Sequence, residues 1–187
     1  MIRVADRWLW PLPSNWTPPP TRGDGSFGVV RKHDVHTGVD LYCEPGQEVR
    51  AVRDGWILLI TAFTGASVGS PWWLDTSVVG VASRDGECVL YGEIQPEMLH
   101  AAVGARVACG QLLGRVQRVR REDDGRPTTM LHLERWGSRG DVLRCYDGDG
   151  WKTPNDWPIG VSRPVSLLDP TAKLCEALEE EVSRGRT

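Results

Sequence analysis

Apolar residues along this chain recur in short runs broken by glycine, proline and aspartate, with the period of strands more often than of helices. Val49 and Ala51 alternate with polar neighbours between turns at Pro45-Gly46 and Asp54-Gly55. Trp56 to Ile60 is a continuous apolar segment of strand length. Val78–Val81 and Glu87–Ile94 read as a hairpin joined by Arg84-Asp85-Gly86. In Met130-Leu131-His132-Leu133-Glu134 the alternation predicts a buried strand with residues 130, 132 and 134 on one face. Only residues 170–184 carry a helical period, with Asp169 as cap, Pro170 in the first turn, and Leu174, Leu178 and Val182 four apart. A weak internal repeat relates Gly46-x-x-Val49-x-Ala51-x-x-x-Gly55 to Gly104-x-x-Val107-x-x-Gly110-x-x-x-Gly114. These features predict a mostly β domain, a roll or sandwich of two similar halves, with an extended N-terminal arm and a short C-terminal helix.

Composition narrows the class. With 187 residues, 40% hydrophobic and 25% charged, the chain fits one globular domain. Twenty-one glycines and 13 prolines imply many tight turns, and residues 138–160 read as a long surface loop. Nine tryptophans exceed what a core of this size satisfies, so some line a groove or an edge. No apolar run approaches the ~20 residues of a membrane span. A net charge of −3 gives no support for nucleic-acid binding. The N-terminus lacks a secretory apolar stretch, and the five cysteines (43, 88, 109, 145, 175) are odd in number without a CxxC pair. Both features lead us to expect reduced thiols and a cytoplasmic location.

Candidate chemistry centres on the four histidines, 33, 36, 100 and 132. His33 and His100 read as surface residues. His36-Thr37-Gly38-Val39-Asp40 is an HxxxD pattern whose ends lie ~13 Å apart in a straight strand, too far to share a metal. A bend at Gly38 would bring imidazole and carboxylate together. His132 is the best third donor, and three protein ligands leave an open position in a catalytic zinc site. Spacing alone fits equally well with His36 capping a turn and His132 as a satisfied core histidine.

Several segments, in order, resemble the lysostaphin/LytM-type zinc endopeptidases. They are Ser26-Phe27-Gly28, His36 to Leu41, Pro45 to Ala51 with Asp54-Gly55, Val103-Gly104 to Gly114, Leu131-His132-Leu133-Glu134 and Leu168-Asp169-Pro170. The resemblance spans about residues 26–174 and implies the duplicated-hybrid-motif fold, cleavage of peptidoglycan peptide bridges, and one Zn2+ on His36, Asp40 and His132. It divides the chain into an N-terminal arm (1–25), the zinc domain (26–174) and a C-terminal helix and tail (175–187).

Two departures stand out. Met130 replaces the first histidine of the family's HxH strand, and Glu93 replaces the histidine of its Y-x-H-L strand. A thioether cannot shuttle a proton at neutral pH. Glu93 has two readings: a carboxylate general base beside the metal, or a structural residue that pairs with an arginine or blocks the groove. The leading expectation is a metallopeptidase-like hydrolase acting on peptide or amide bonds through zinc-activated water. The alternative is an inactive zinc-binding module that recognises peptidoglycan or a protein partner, as the leukocyte cell-derived chemotaxin branch of this fold implies. Trp72 and Trp73, in the turn-rich insertion 64–77, are candidate substrate-binding residues together with Met130. A carrier domain would need a lysine at a hairpin tip, and Lys32, Lys152 and Lys173 do not provide one.

Overall fold

Strands form where the apolar alternation is densest. A computed structural model describes residues 7–96, 103–122, 128–145 and 157–185. Its strands are β1 (Val39–Tyr42), β2 (Glu48–Arg50), β3 (Gly55–Thr64), β4 (Thr76–Ala82), β5 (Cys88–Pro96), β6 (Arg106–Val107), β7 (Leu112–Val116), β8 (Met130–Trp136) and β9 (Leu167–Leu168). The helices are α1 (Arg139–Arg144) and α2 (Thr171–Gly185). The strands make one antiparallel sheet in the order β1-β8-β5-β4-β3-β6, with β9 on β8 and β7 joining β2 to the far end of β5. The fold is thus mostly β, as the alternation predicted. The two glycine-led repeats lie against each other, β2 on β7 and the start of β3 on β6.

Both faces of the sheet are covered. One carries Val39, Leu41, Val89, Tyr91, Leu131 and Leu133, packed under Trp8, Trp10 and Leu12 of the N-terminal segment and under Leu174, Ala177 and Leu178 of α2. The other carries Leu58, Phe63, Leu90, Trp136, Val142 and Leu167, with Phe27 and Trp157 against them. Helix α2 begins where Asp169 accepts the Thr171 N–H at 2.8 Å, and its apolar stripe closes the first core. Among the described residues no helix is long and apolar enough to cross a membrane.

Two expectations need correction. Residues 139–144, expected to be surface loop, form α1, capped by the Ser138 hydroxyl, which accepts the Asp141 N–H at 3.3 Å. Burial of Val142 in the second core outweighs the poor helix propensity of Gly140. Most of the remainder of that stretch, 146–156, lies outside the described residues, as does His100. The insertion is also shorter than expected, 65–75, because β3 runs on to Thr64 and β4 starts at Thr76.

The arm contributes to the core as well as to the surface. Trp10 is 2% exposed and donates its indole N–H to the Asn15 carbonyl at 2.5 Å. Trp10→Ala should therefore lower stability by about 3–5 kcal/mol, read as a reduced urea midpoint with an unchanged slope.

Candidate metal centre

Neighbouring strands bring the donors together. Asp40 on β1 stands directly opposite His132 on β8, and Tyr42 opposite Met130. His36 precedes β1, fixed by exchanges with the preceding turn: its N–H donates to Val29 O and its carbonyl accepts the Gly28 N–H, both at 2.9 Å. The chain then bends at Gly38. That residue has no room for a side chain, since a Cβ would lie 2.6 Å from the Leu133 carbonyl oxygen and 2.8 Å from His132 Nε2. The bend leaves His36 Nε2 3.0 Å from Asp40 Oδ1, Asp40 Oδ1 2.9 Å from His132 Nδ1, and the two nitrogens 3.1 Å apart.

Each ring is held from its far side. His36 Nδ1 is 2.9 Å from the Ser26 carbonyl oxygen, which only accepts, so Nδ1 carries the proton and Nε2 presents a lone pair. His132 Nε2 lies 3.0 Å from Glu134 Oε1 and its Nδ1 faces Asp40, so each ring nitrogen meets a carboxylate. Two imidazole nitrogens and a carboxylate oxygen thus converge in a buried triangle, a donor set that fits a bound cation. The edges of about 3 Å approach the ~3.3 Å separations of tetrahedral ligands bound at ~2.0 Å. His36, Asp40 and His132 form the cluster of potential ligands found among the described residues.

Glu134 supports this triangle from behind. It is 0% exposed, and three side chains satisfy it: Thr37 Oγ1 at 2.7 Å and His132 Nε2 at 3.0 Å on Oε1, and Trp136 Nε1 at 2.7 Å on Oε2. Such a carboxylate behind a ligating histidine fixes its tautomer and raises its basicity. Burial alone would lower the His132 pKa, but hydrogen bonds and charge from Asp40 and Glu134 push it up to about 10. Burial likewise acts to raise the Asp40 pKa, yet His36 and His132 hold it well below the usual carboxylate range. Arg31 binds the second Asp40 oxygen at 2.5 Å and is itself held by the Asp24 carbonyl, which leaves Oδ1 for the histidines.

Glu93 flanks the cluster on β5. There β5 leaves β8, with its last pair Gly92–His132, and takes β7, starting at Ile94–Val116. Three steps on β5 (Tyr91 to Ile94) match two on β4 (Val79 to Ser77), a β-bulge. Glu93 absorbs it at φ 62°, the one positive φ outside glycine among the described residues. Its Oε2 is buried without a hydrogen-bond partner. Burial, and then the nearby Asp40 charge, push its pKa up to about 8. Phe63 covers His132 with ring centroids 5.4 Å apart, a place open to it because Gly92 has no side chain: a Cβ there would be 2.7 Å from the Phe63 ring.

The structure brings His36, Asp40 and His132 into one triangle and sets Glu93 beside it. Met130 is half-buried at the rim with Tyr42, and His33 is exposed. Trp72 and Trp73 pack edge to face on the insertion, 71% and 36% exposed, and their ring contact is with each other. Sequence reasoning did not assign roles to Glu134, Arg31, Tyr42 or Phe63. A charged residue within the apolar alternation of β8 was the available signal for Glu134.

A sequence model of peptidase family M23 matches residues 34–143. Among solved structures, the antimicrobial peptidase lysostaphin from Staphylococcus simulans is similar, with a TM-score of 0.55 at 17% identity over 91% of this chain and 55% of that one. A solution structure of lysostaphin gives 0.54 at 16% identity over 92% and 56%. A chain of the SpoIIQ–SpoIIIAH pore-forming complex gives 0.50 at 16% identity over 73% and 86%. The chain spans little more than half the length of the lysostaphin structures, and at these identities the likeness is one of fold. No curated protein matches in sequence.

Because the atoms that crowd Gly38 include a backbone carbonyl, Gly38→Ala should cost about 1–3 kcal/mol in chemical denaturation. It should also shift the His132 imidazole resonances, which a remote loss of packing would leave in place.

Proposed function

The chain belongs to peptidase family M23, and from that footing we propose that it is a zinc-dependent hydrolase of peptide or amide bonds in which Glu93 moves the proton. His36, Asp40 and His132 are the residues that would hold the ion. Bound there, zinc would supply Lewis-acid polarisation of the scissile carbonyl and a lowered pKa for an attacking water. Glu93 would serve as the proton carrier, holding the proton given up by the attacking water and passing it to the departing amine nitrogen. Arg31 and Glu134 keep Asp40 and His132 aimed, and Phe63 shields one face of His132 from solvent.

The observation that carries this reading is the Glu93 carboxylate: buried, unpartnered on Oε2, held in a strained conformation beside the donor triangle yet not among its ligands. Strain of this kind persists where the surroundings enforce it and clusters at reacting sites. A bidentate arginine pair would have satisfied Oε2, and the remaining structural alternative, a carboxylate that only blocks the groove, is separated by the Glu93→Gln test below. The substrate class proposed is a peptide, with peptidoglycan cross-bridges first in line from the family resemblance. Trp72 and Trp73 are proposed to wall the substrate groove, with Met130 at its rim.

Protein purified without added metal should contain one zinc per chain by elemental analysis, and His132→Ala should lose it. Glu134→Gln should weaken zinc binding by about 10–100-fold in chelator competition. Release of new amino groups from purified peptidoglycan and short synthetic peptides measures turnover. Glu93→Gln should lower kcat by about 10²–10⁴-fold with zinc retained; unchanged turnover removes Glu93 from the reaction. Zinc without turnover on any peptide would refute the hydrolase. Replacing both Trp72 and Trp73 by alanine should raise KM and leave kcat in place.

A further inference from the structure

A second concave site lies away from the donor triangle, at the β3–β6 end of the sheet. One cavity of about 710 Å³ is lined by five arginines, Arg7, Arg53, Arg84, Arg106 and Arg184, and by only two carboxylates, Asp54 and Glu180. Its volume falls in the ~300–1,000 Å³ range of ligand pockets. A neighbouring cavity of about 550 Å³ shares Trp56, Ser83 and Arg84 with the first and has apolar walls from Ile57, Leu58, Ala82 and Val103. Together they make one groove that passes over Trp56.

The charges in this groove do not cancel. Glu180 is shared by Arg7 at 3.4 Å and Arg184 at 3.1 Å, and Asp54 Oδ1 accepts the Cys109 N–H at 2.7 Å. Arg53 is taken by Asp85 at 2.7 Å and Glu87 at 2.8 Å, and Glu87 also binds Arg135 at 2.7 Å. This network clamps the tip of the β4–β5 hairpin and so fixes the backbone of Arg84. Arg106 is fixed in turn as the cross-strand neighbour of Trp56. Among the described residues, Arg84 and Arg106 have no acidic partner, and both are exposed. Between them Trp56, the second residue of β3, is 43% exposed, a large apolar surface on a strand.

Guanidinium groups on rigid supports pair with carboxylates in bidentate fashion, and an exposed indole beside them receives an apolar or aromatic group. We propose that this groove binds an acidic peptide segment of a protein partner, with Arg84 and Arg106 engaging its carboxylates and Trp56 and the apolar cavity receiving a hydrophobic side chain. A phosphate polymer would satisfy the arginines but leave the exposed apolar surface of Trp56 and Val103 without a partner. The site is independent of zinc and of the hydrolytic reading.

The test is fluorescence anisotropy of a fluorescein-labelled peptide that places a phenylalanine and a leucine among aspartates and glutamates, titrated with the full chain. Saturable binding is expected, weakening as salt is added. Arg84→Glu with Arg106→Glu should weaken it by about tenfold or more, and Trp56→Ala by a similar factor. Arg84→Gln with Arg106→Gln, compared by thermal midpoint, guards against a folding defect. Absence of binding, equal binding to the charge-reversed variant, or equal affinity for a scrambled peptide without apolar residues would overturn the proposal. Polyphosphate that binds more tightly than the peptide at equal charge concentration, and as tightly to Trp56→Ala as to wild type, would also overturn it, marking the groove as a general anion site. His132→Ala should bind the peptide as wild type does, which separates failure here from failure of the metal site.

Discussion

A carboxylate removed from water must find donors, and Glu134 finds three: the Thr37 hydroxyl before β1, and on β8 itself the His132 imidazole two residues back and the Trp136 indole two residues ahead. An unpaired charge at a fully buried position would cost several kcal/mol. Satisfying it orients the His132 ring and sets Thr37 against β8. With Thr37 fixed, the Gly38 bend and the approach of His36 to Asp40 follow. The donor triangle is therefore a by-product of solving a buried-charge problem one layer below it.

The sheet supplies the second condition. Strand β5 has β4 on one edge, but on the other it is shared between β8 and β7. The changeover falls at Glu93, whose carbonyl accepts the Gln117 N–H at 2.9 Å as β7 leaves the sheet. The extra residue resets the alternation: Val89 and Tyr91 face the first core, and so does Ile94, three rather than four positions on from Tyr91. Glu93 is thereby released from the core-facing position that strict alternation would give it.

Much of this architecture was legible because it is periodic. The strands around Trp56–Ile60, Val78–Val81 and Met130–Glu134 and the helix after Asp169 announce themselves by alternation or by a cap. The bend at Gly38 followed from the distance problem in HxxxD. What stayed hidden depends on register. Thr37 and Trp136 are identifiable as partners of Glu134 only once β1 is known to lie on β8. Phe63 reaches His132 across β4 and β5, 69 positions earlier in the chain. Helix α1 was missed because six residues containing a glycine have no helical period to read; one buried valine stabilises it through tertiary packing. In the sequence Arg84 reads only as part of a turn and Arg106 carries no signal, because their juxtaposition depends on the pairing of their neighbours.

The bulge at Glu93 also bears on how this position can change over generations. Glu93 lies outside the alternation that fills the two cores. One constraint on it is conformational: a left-handed backbone is easier for asparagine, aspartate, glycine or histidine than for glutamate. An exchange of histidine for glutamate there would be resisted by local torsional strain and by burial of the carboxylate. Position 93 is thus a locus where the chemistry of the groove can diverge while the fold is inherited intact.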